Sequence, residues 1–172
     1  MRTLFLSFPY FSQFPPLPLS LTPTSTYAYT NRFLGEQIPL ICTNGSTPLH
    51  SAVQQGHETM VGQLLNAKGI AVNQANTDGF TPLYIAAANG DGAMVGHLIA
   101  AEGIAVNQAD SDGLTPLYMA AANGDEVIVS QLLGAEGIAV NQSTTDGSTP
   151  LYITAQEGHG NVVALLRAHG AK

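Results

Sequence analysis

The sequence has little charge, no tryptophan and a single cysteine, Cys42. One cysteine excludes an intramolecular disulfide and a cysteine-rich zinc site, and it fits a reduced, intracellular protein. Acidic residues outnumber basic residues by 12 to 5, which gives a net charge of −7. This charge disfavours nucleic acid and anionic membrane surfaces as partners, because both are negatively charged. By charge alone, basic protein surfaces are the natural partners.

Residues 1–43 lack the regular pattern of the rest of the chain. No charged residue occurs from Thr3 to Asn31, a stretch long enough to cross a bilayer. Its five prolines make a poor membrane helix, because each proline removes a backbone hydrogen bond. We predict a Pro/Ser/Thr-rich apolar leader, and three interpretations stay open: a disordered or mis-joined segment, an organelle-targeting peptide, or a secretion signal.

An internal repeat dominates residues 44–172. The tripeptide Thr-Pro-Leu recurs at intervals of 34 residues, at 47–49, 81–83, 115–117 and 149–151. Ile-Ala-Val-Asn-Gln recurs with the same period, at 70–74, 104–108 and 138–142. The period predicts four units with the boundaries 44–77, 78–111, 112–145 and 146–172.

Each unit contains the signals for two helices and a turn. The threonine before each proline is a good N-cap, and proline is favoured at the first helical position. Glycines such as Gly90 then end the first helix, and a second apolar run ends before glycines such as Gly103. A short β-like stretch and an Asp-Gly turn follow. We therefore predict helix, turn, helix and extended finger in every unit.

The pattern resembles the ankyrin repeat. The first unit carries Gly45–His50 (Gly-Ser-Thr-Pro-Leu-His), Gly56-His57, Leu64-Leu65, Gly69 and Val72-Asn73. A 34-residue period is also that of the tetratricopeptide repeat, but that unit expects a tryptophan and a proline near its end. The resemblance implies an all-α repeat solenoid whose helix–turn–helix units are joined by short β-hairpin-like fingers.

One detail lies outside this simple pattern. Gly35 and Ile38 stand 34 residues before Gly69 and Val72, which indicates either the remnant of an earlier repeat or a coincidence.

Stacking of neighbouring repeats is expected to form the core. We predict that apolar side chains of repeat two face those of repeat three: Leu83, Ile85, Val95, Leu98 and Ile99 against Leu117, Met119, Val127, Val129, Leu132 and Leu133.

No residue pattern in the sequence indicates catalysis. It contains no nucleophile elbow and no phosphate-binding glycine motif. His50 and His57 occupy repeat positions and are expected to be structural instead of metal ligands. The recurring Tyr84, Tyr118 and Tyr152 are expected to pack between repeats. We therefore predict a non-catalytic protein with no cofactor and no bound metal.

The resemblance implies a protein-binding surface on the concave face, made of finger tips and first helices. Its predicted partner-binding residues are Thr77, Asp78, Phe80, Asn89, Ser111, Asp112, Leu114, Asn123, Thr145 and Asp146. The same face would include Ser148, Gln54, Gln55, Ala88, Ala122, Gln156 and Glu157. Phe80 and Leu114 replace serines found in the outer fingers, and they suit a partner with an apolar anchor and a basic rim. The alternative is that they pack against neighbouring fingers.

The resulting hypothesis is a scaffold or adaptor that binds an unidentified protein. We expect a cytoplasmic monomer that binds neither nucleic acid nor membrane, with nuclear residence as an option. Two alternatives stay open: the regulatory ankyrin portion of a larger enzyme, such as a kinase or ubiquitin ligase, and an effector that is targeted or secreted through residues 1–43.

Overall fold

The computed structural model describes residues 44–172, which form eight short α-helices arranged in four pairs. The predicted leader, residues 1–43, lies outside the described residues. The helices are α1 Pro48–Gln54, α2 Glu58–Leu65, α3 Pro82–Ala88, α4 Gly92–Ile99, α5 Pro116–Asn123, α6 Glu126–Leu133, α7 Pro150–Glu157 and α8 Gly160–Ala168. The predicted all-α repeat architecture is confirmed.

The first helix of each pair begins at its Thr-Pro dipeptide. In repeat two, the Thr81 hydroxyl accepts a hydrogen bond from the Tyr84 backbone N–H at 3.1 Å. The equivalent bonds from Tyr118 to Thr115 and from Tyr152 to Thr149 measure 3.1 and 3.2 Å. Each threonine therefore satisfies an N–H group that has no partner inside the helix.

Glycine is required where the first helix of a pair turns into the second. Gly124 has φ +74°, in the left-handed region that L side chains rarely adopt. A Cβ at this position would lie 2.5 Å from His159 Nδ1 of the next repeat. Both the backbone conformation and the neighbouring ring therefore exclude a side chain at residue 124.

The helices form two layers. First helices α1, α3, α5 and α7 pack beside one another, and second helices α2, α4, α6 and α8 do the same. The core lies within and between these layers and includes Leu49, Leu83, Leu98, Leu117, Leu132 and Leu166. Short apolar helices thus obtain their stability from stacking, since one repeat cannot bury its apolar surface alone.

The core prediction is confirmed except at its margins. Seven of the eleven predicted residues are buried: Leu83, Val95, Leu98, Leu117, Val129, Leu132 and Leu133. Ile85, Ile99 and Met119 are half-buried. The prediction that Val127 belongs to the core is wrong, because its side chain is 67 % exposed. It lies in the first turn of α6, where helical periodicity directs Ile128 and Val129 to the core and Val127 to solvent.

The fingers contain turns instead of the predicted β-like stretch, and no strand is formed within residues 44–172. Gln74 N–H donates to Ala71 O at 3.2 Å, so the chain bends where an extended segment was expected. At the tip, Asn76 N–H donates to Phe80 O at 3.0 Å, and Asn76 Oδ1 accepts the N–H groups of Asp78 and Phe80. A side chain thus closes a hairpin that is too short for a strand ladder.

A row of asparagines connects successive repeats along the base of the fingers. Asn107 Nδ2 donates to Gly137 O at 2.7 Å, and its Oδ1 accepts from Ala139 N at 2.8 Å. Asn73 makes the same pair of bonds to Gly103 and Ala105, and Asn141 bonds to Gly170 and Lys172. Each asparagine satisfies one donor and one acceptor of the next repeat's backbone, which fixes the register of the stack.

Candidate functional site

We use the name finger face for the surface formed by the finger tips and the first helices, which comprises residues 44–55, 74–89, 108–123 and 142–157. Eight of the ten predicted binding residues are exposed on it: Thr77, Asp78, Asn89, Ser111, Asp112, Asn123, Thr145 and Asp146. Phe80 and Leu114 are half-buried. Gln54, Gln55, Gln156 and Glu157 are exposed, whereas Ala88, Ala122 and Ser148 are half-buried.

Phe80 is only partly available to a partner. Its ring stacks on Tyr84 with centroids 4.6 Å apart and planes 2° from parallel. Tyr84 itself is 7 % exposed. One face of the Phe80 ring therefore packs within its own repeat, which leaves Leu114 of the next finger as the second half-buried apolar side chain at the tips.

Asp110 organises the third finger and was not among the predicted residues. Its Oδ1 accepts the N–H groups of Asp112 at 3.0 Å and Leu114 at 2.9 Å. Burial of the Tyr84 hydroxyl, together with the negative charge of Asp110 and a hydrogen bond to it, raises the pKa of Tyr84 to about 12. Asp110 thus has a structural role. The sequence held a signal for it, because an aspartate side chain commonly accepts the backbone N–H two residues later and so closes an Asx turn.

In repeats one to three, the residue after Pro-Leu contacts the following finger. His50 Nε2–H donates to Phe80 O at 2.9 Å, and the Tyr118 hydroxyl lies 3.3 Å from Ser148 Oγ. In repeat four, Tyr152 is 62 % exposed. The predicted packing role is therefore found for the inner tyrosines, while Tyr152 adds an exposed aromatic ring to the finger face.

Several predicted binding residues also connect neighbouring repeats. Thr77 N–H donates to Asn44 O, and Thr145 N–H donates to Asp112 O, both at 2.9 Å. Asn123 Nδ2 donates to Ala88 O at 3.1 Å. Backbone hydrogen bonds therefore connect the first finger tip to the second and the third to the fourth, whereas the Asp78 and Asp112 side chains remain exposed.

Asp146 is held ionised at the fourth finger tip. Its Oδ1 accepts hydrogen bonds from the Thr144 hydroxyl and, at 3.2 Å, from Ser148 N–H. These bonds lower the pKa of Asp146 below its ordinary value, with the Thr144 hydroxyl as the largest cause. A hydrogen bond to the carboxylate favours its charged form.

Charge is distributed unevenly between the two sides of the array. The finger face carries Asp78, Asp110, Asp112, Asp146 and Glu157, with no lysine or arginine. The remaining described segments carry all three basic residues of the array, Lys68, Arg167 and Lys172, together with six acidic residues. The finger face is therefore a surface of one charge sign with apolar side chains among the carboxylates.

His50 and His159 connect neighbouring repeats through side-chain hydrogen bonds. His50 Nδ1 accepts from Thr47 N–H at 3.0 Å, and burial lowers the pKa of His50. His57 Nε2 bonds to Gln55 Oε1, and His159 Nε2 donates to Ala122 O. Residues 44–172 contain no group of three or more His, Cys, Asp or Glu side chains placed to hold a metal ion. None of the helices in this range is long and apolar enough to cross a bilayer.

Comparison with known proteins agrees with this geometry. A family model described as ankyrin repeats, in three copies, matches residues 27–110 and 85–172. A search of curated proteins finds no significant match. The first family match begins before residue 44 and includes Gly35 and Ile38, so the domain boundary at residue 44 stays a prediction. Together, the matched residues and the paired helices show that the chain belongs to the ankyrin-repeat family.

Proposed function

We propose that this chain is a non-catalytic scaffold or adaptor that binds a protein partner through the finger face. Ankyrin repeats are generally protein–protein interaction modules. The observation that carries the proposal is the composition of this face, with five carboxylates, no lysine or arginine, and the side chains of Phe80, Leu114 and Tyr152 among them. A partner segment with basic residues around an apolar side chain matches that surface.

The physical contributions to such binding are distinct. Apolar contact with Leu114 and the accessible part of Phe80 would supply most of the affinity, because a few buried anchors dominate interface energies. The carboxylates would mainly accelerate association and select the orientation of the partner. Binding should therefore weaken as salt increases, since exposed charges are screened beyond about 8 Å at physiological ionic strength.

The test uses the full chain and a displayed library of random peptides. We expect selected peptides to be enriched in lysine or arginine and to contain an apolar residue. Asp78→Ser, Asp112→Ser and Asp146→Ser together remove three finger-face charges without creating an Asn-Gly pair at the finger tips. The matched control is Glu58→Gln, Glu102→Gln and Glu136→Gln, which removes three exposed charges from the other segments.

Peptide affinity measured by fluorescence anisotropy separates the possibilities. The proposal requires the aspartate triple variant to lose at least roughly tenfold in affinity, about 1.4 kcal/mol, with little change in the control. Equal effects in both variants would mean that only the net charge matters. Leu114→Ser, checked for unchanged helix content, tests the apolar anchor independently, and unchanged affinity would remove Leu114 from the site.

A further inference from the structure

The described residues contain three Asn-Gly dipeptides: Asn44-Gly45, Asn89-Gly90 and Asn123-Gly124. In an Asn-Gly pair, the glycine backbone nitrogen can attack the asparagine side-chain carbonyl, because glycine has no side chain to obstruct the approach. The reaction is intramolecular, so its rate depends on how well the two groups are oriented. One chain therefore presents the same reactive pair in three structural settings.

At residue 44 the local structure favours this attack. Asn44 and Gly45 are both exposed at the first finger tip. Ser46 N–H donates to Asn44 Oδ1 at 3.2 Å. That oxygen gains negative charge when the side-chain carbon is attacked, and a positioned N–H donor stabilises such an oxyanion. Within residues 44–172 the Gly45 N–H donates to no acceptor, unlike the corresponding N–H groups of the other two Asn-Gly pairs.

At the other two pairs the same nitrogen is engaged. Gly90 N–H donates to Ala87 O at 3.3 Å, and Gly124 N–H donates to Ala121 O at 3.2 Å. Asn123 Nδ2 also donates to Ala88 O, which holds the side-chain amide in place. Attack at either site requires the end of a helix to open first, and the backbone there is fixed by stacking.

We propose that Asn44 is a site of spontaneous deamidation in the folded protein. The Gly45 nitrogen loses its proton to solvent base and forms a bond to Asn44 Cγ. Nδ2 then takes a proton from solvent, the Cγ–Nδ2 bond breaks, and ammonia leaves, so that a five-membered succinimide remains. Water then opens the ring at the side-chain carbonyl to give aspartate, or at the main-chain carbonyl to give isoaspartate.

The two products have different consequences for the first finger. Aspartate at residue 44 reproduces the residue found at the same repeat position in Asp78, Asp112 and Asp146, and it adds a carboxylate to the finger face. Isoaspartate inserts a methylene group into the backbone. It therefore displaces Asn44 O, which accepts from Thr77 N–H at 2.9 Å and from the Thr77 hydroxyl at 3.0 Å.

The experiment incubates the full chain at mildly alkaline pH and follows all three pairs by peptide mapping with mass spectrometry. We expect residue 44 to convert at least roughly fivefold faster than residues 89 and 123, which corresponds to the opening of one hydrogen bond. Asn44→Gln should lose this conversion, because the longer glutamine side chain cannot form the five-membered succinimide. Detection of isoaspartate at residue 44 by its specific peptide cleavage pattern would identify the second product.

A parallel incubation in urea tests whether structure causes the difference. In the unfolded chain all three pairs are equivalent dipeptides, so their rates should converge. The proposal is overturned if residue 89 or 123 reacts as fast as residue 44 in the folded protein. It is also overturned if the advantage of residue 44 persists unchanged in urea, because local sequence and not the finger structure would then be its cause.

Discussion

Helices α2 and α6 occupy the same place in repeats one and three, and their eight-residue sequences differ at only three positions. In α6 four residues are buried: Ile128, Val129, Leu132 and Leu133. In α2 only Val61 is buried, although Leu64 and Leu65 correspond to Leu132 and Leu133. Helix α6 packs between α4 and α8, whereas α4 is the only second helix that packs on α2 within residues 44–172.

This comparison shows that the same apolar pattern has different energetic value at different places in the stack. In a repeat protein, stability is the sum of the repeats and of the interfaces between neighbours. Leu98, Leu132 and Leu166, at the repeat position of Leu64, are all fully buried. Each lies in a helix that packs on a preceding second helix, which α2 lacks within residues 44–172. We therefore expect repeat one to be the least stable of the four, and its opening to precede global unfolding.

The largest expected effect comes from truncating equivalent leucines. Leu132→Ala removes a fully buried side chain and should lower the free energy of unfolding by about 2–5 kcal/mol. Leu64→Ala, at the same repeat position, should cost less than about 2 kcal/mol, because Leu64 is already half-exposed. Urea denaturation followed by circular dichroism measures both. Equal losses would mean that the leucine itself, and not its neighbours, determines the contribution.

The asparagine row gives a second comparison between the middle and the end of the stack. Asn107→Ala breaks bonds to Gly137 O and Ala139 N, and should destabilise the protein by roughly 1–3 kcal/mol because these backbone groups lose their partners. Asn141→Ala should cost less, since its partner Lys172 is exposed to water that can replace the bond, whereas Ala139, the corresponding partner of Asn107, is half-buried. Thermal unfolding of the two variants compares them, and a larger loss for Asn141→Ala would contradict this ranking.

His50 makes the stability of repeat one depend on pH. Burial lowers the pKa of His50 from its ordinary value of 6.5, so the unfolded chain takes up a proton at a higher pH than the folded chain. The stability is fully present above pH 6.5 and is lost as the pH falls below 6.5 towards the lowered folded pKa. Protonation would also place an N–H of the ring against Thr47 N–H.

The measurement is urea denaturation of the parent and of His50→Gln over this pH range. We expect a steeper loss of stability in the parent, because glutamine does not titrate. Repeats two to four carry tyrosine at this position and should contribute nothing to the difference. A parent and variant with parallel pH profiles would exclude His50 as the cause.

The smallest expected effect concerns Gly62 within α2. A Cβ at Gly62 meets no atom within 4 Å, so Gly62→Ala should stabilise the protein by about 0.5–1 kcal/mol. Native-state hydrogen exchange should show the fastest exchange in repeat one of the parent and slower exchange of α2 in the variant. Gly96→Ala, which brings a Cβ to 3.6 Å from Gln131 Nε2, is the matched change in α4. Fastest exchange in repeat three of the parent would contradict the comparison.

The sequence predicted the features that depend on local chemistry. Threonine caps, proline starts and glycine ends act within a few residues, so Thr81 and Gly124 indicated helix boundaries before the neighbours were known. The finger tips followed from the repeat register, and the binding role of the exposed residues on them stays a prediction. The β-like stretch before each finger tip was wrong, because the chain bends there, as where Gln74 N–H donates to Ala71 O.

Only the tertiary structure decided which residues about one repeat apart contact each other. The sequence determined the repeat, the family resemblance and the surplus of acidic residues, because these depend on residue identity and spacing. It could not show that Leu132 is more buried than Leu64, that Val127 is exposed, or that Asp110 lies beside Tyr84. Burial and pairing are properties of neighbours, and the neighbours are set by how one repeat packs on the next.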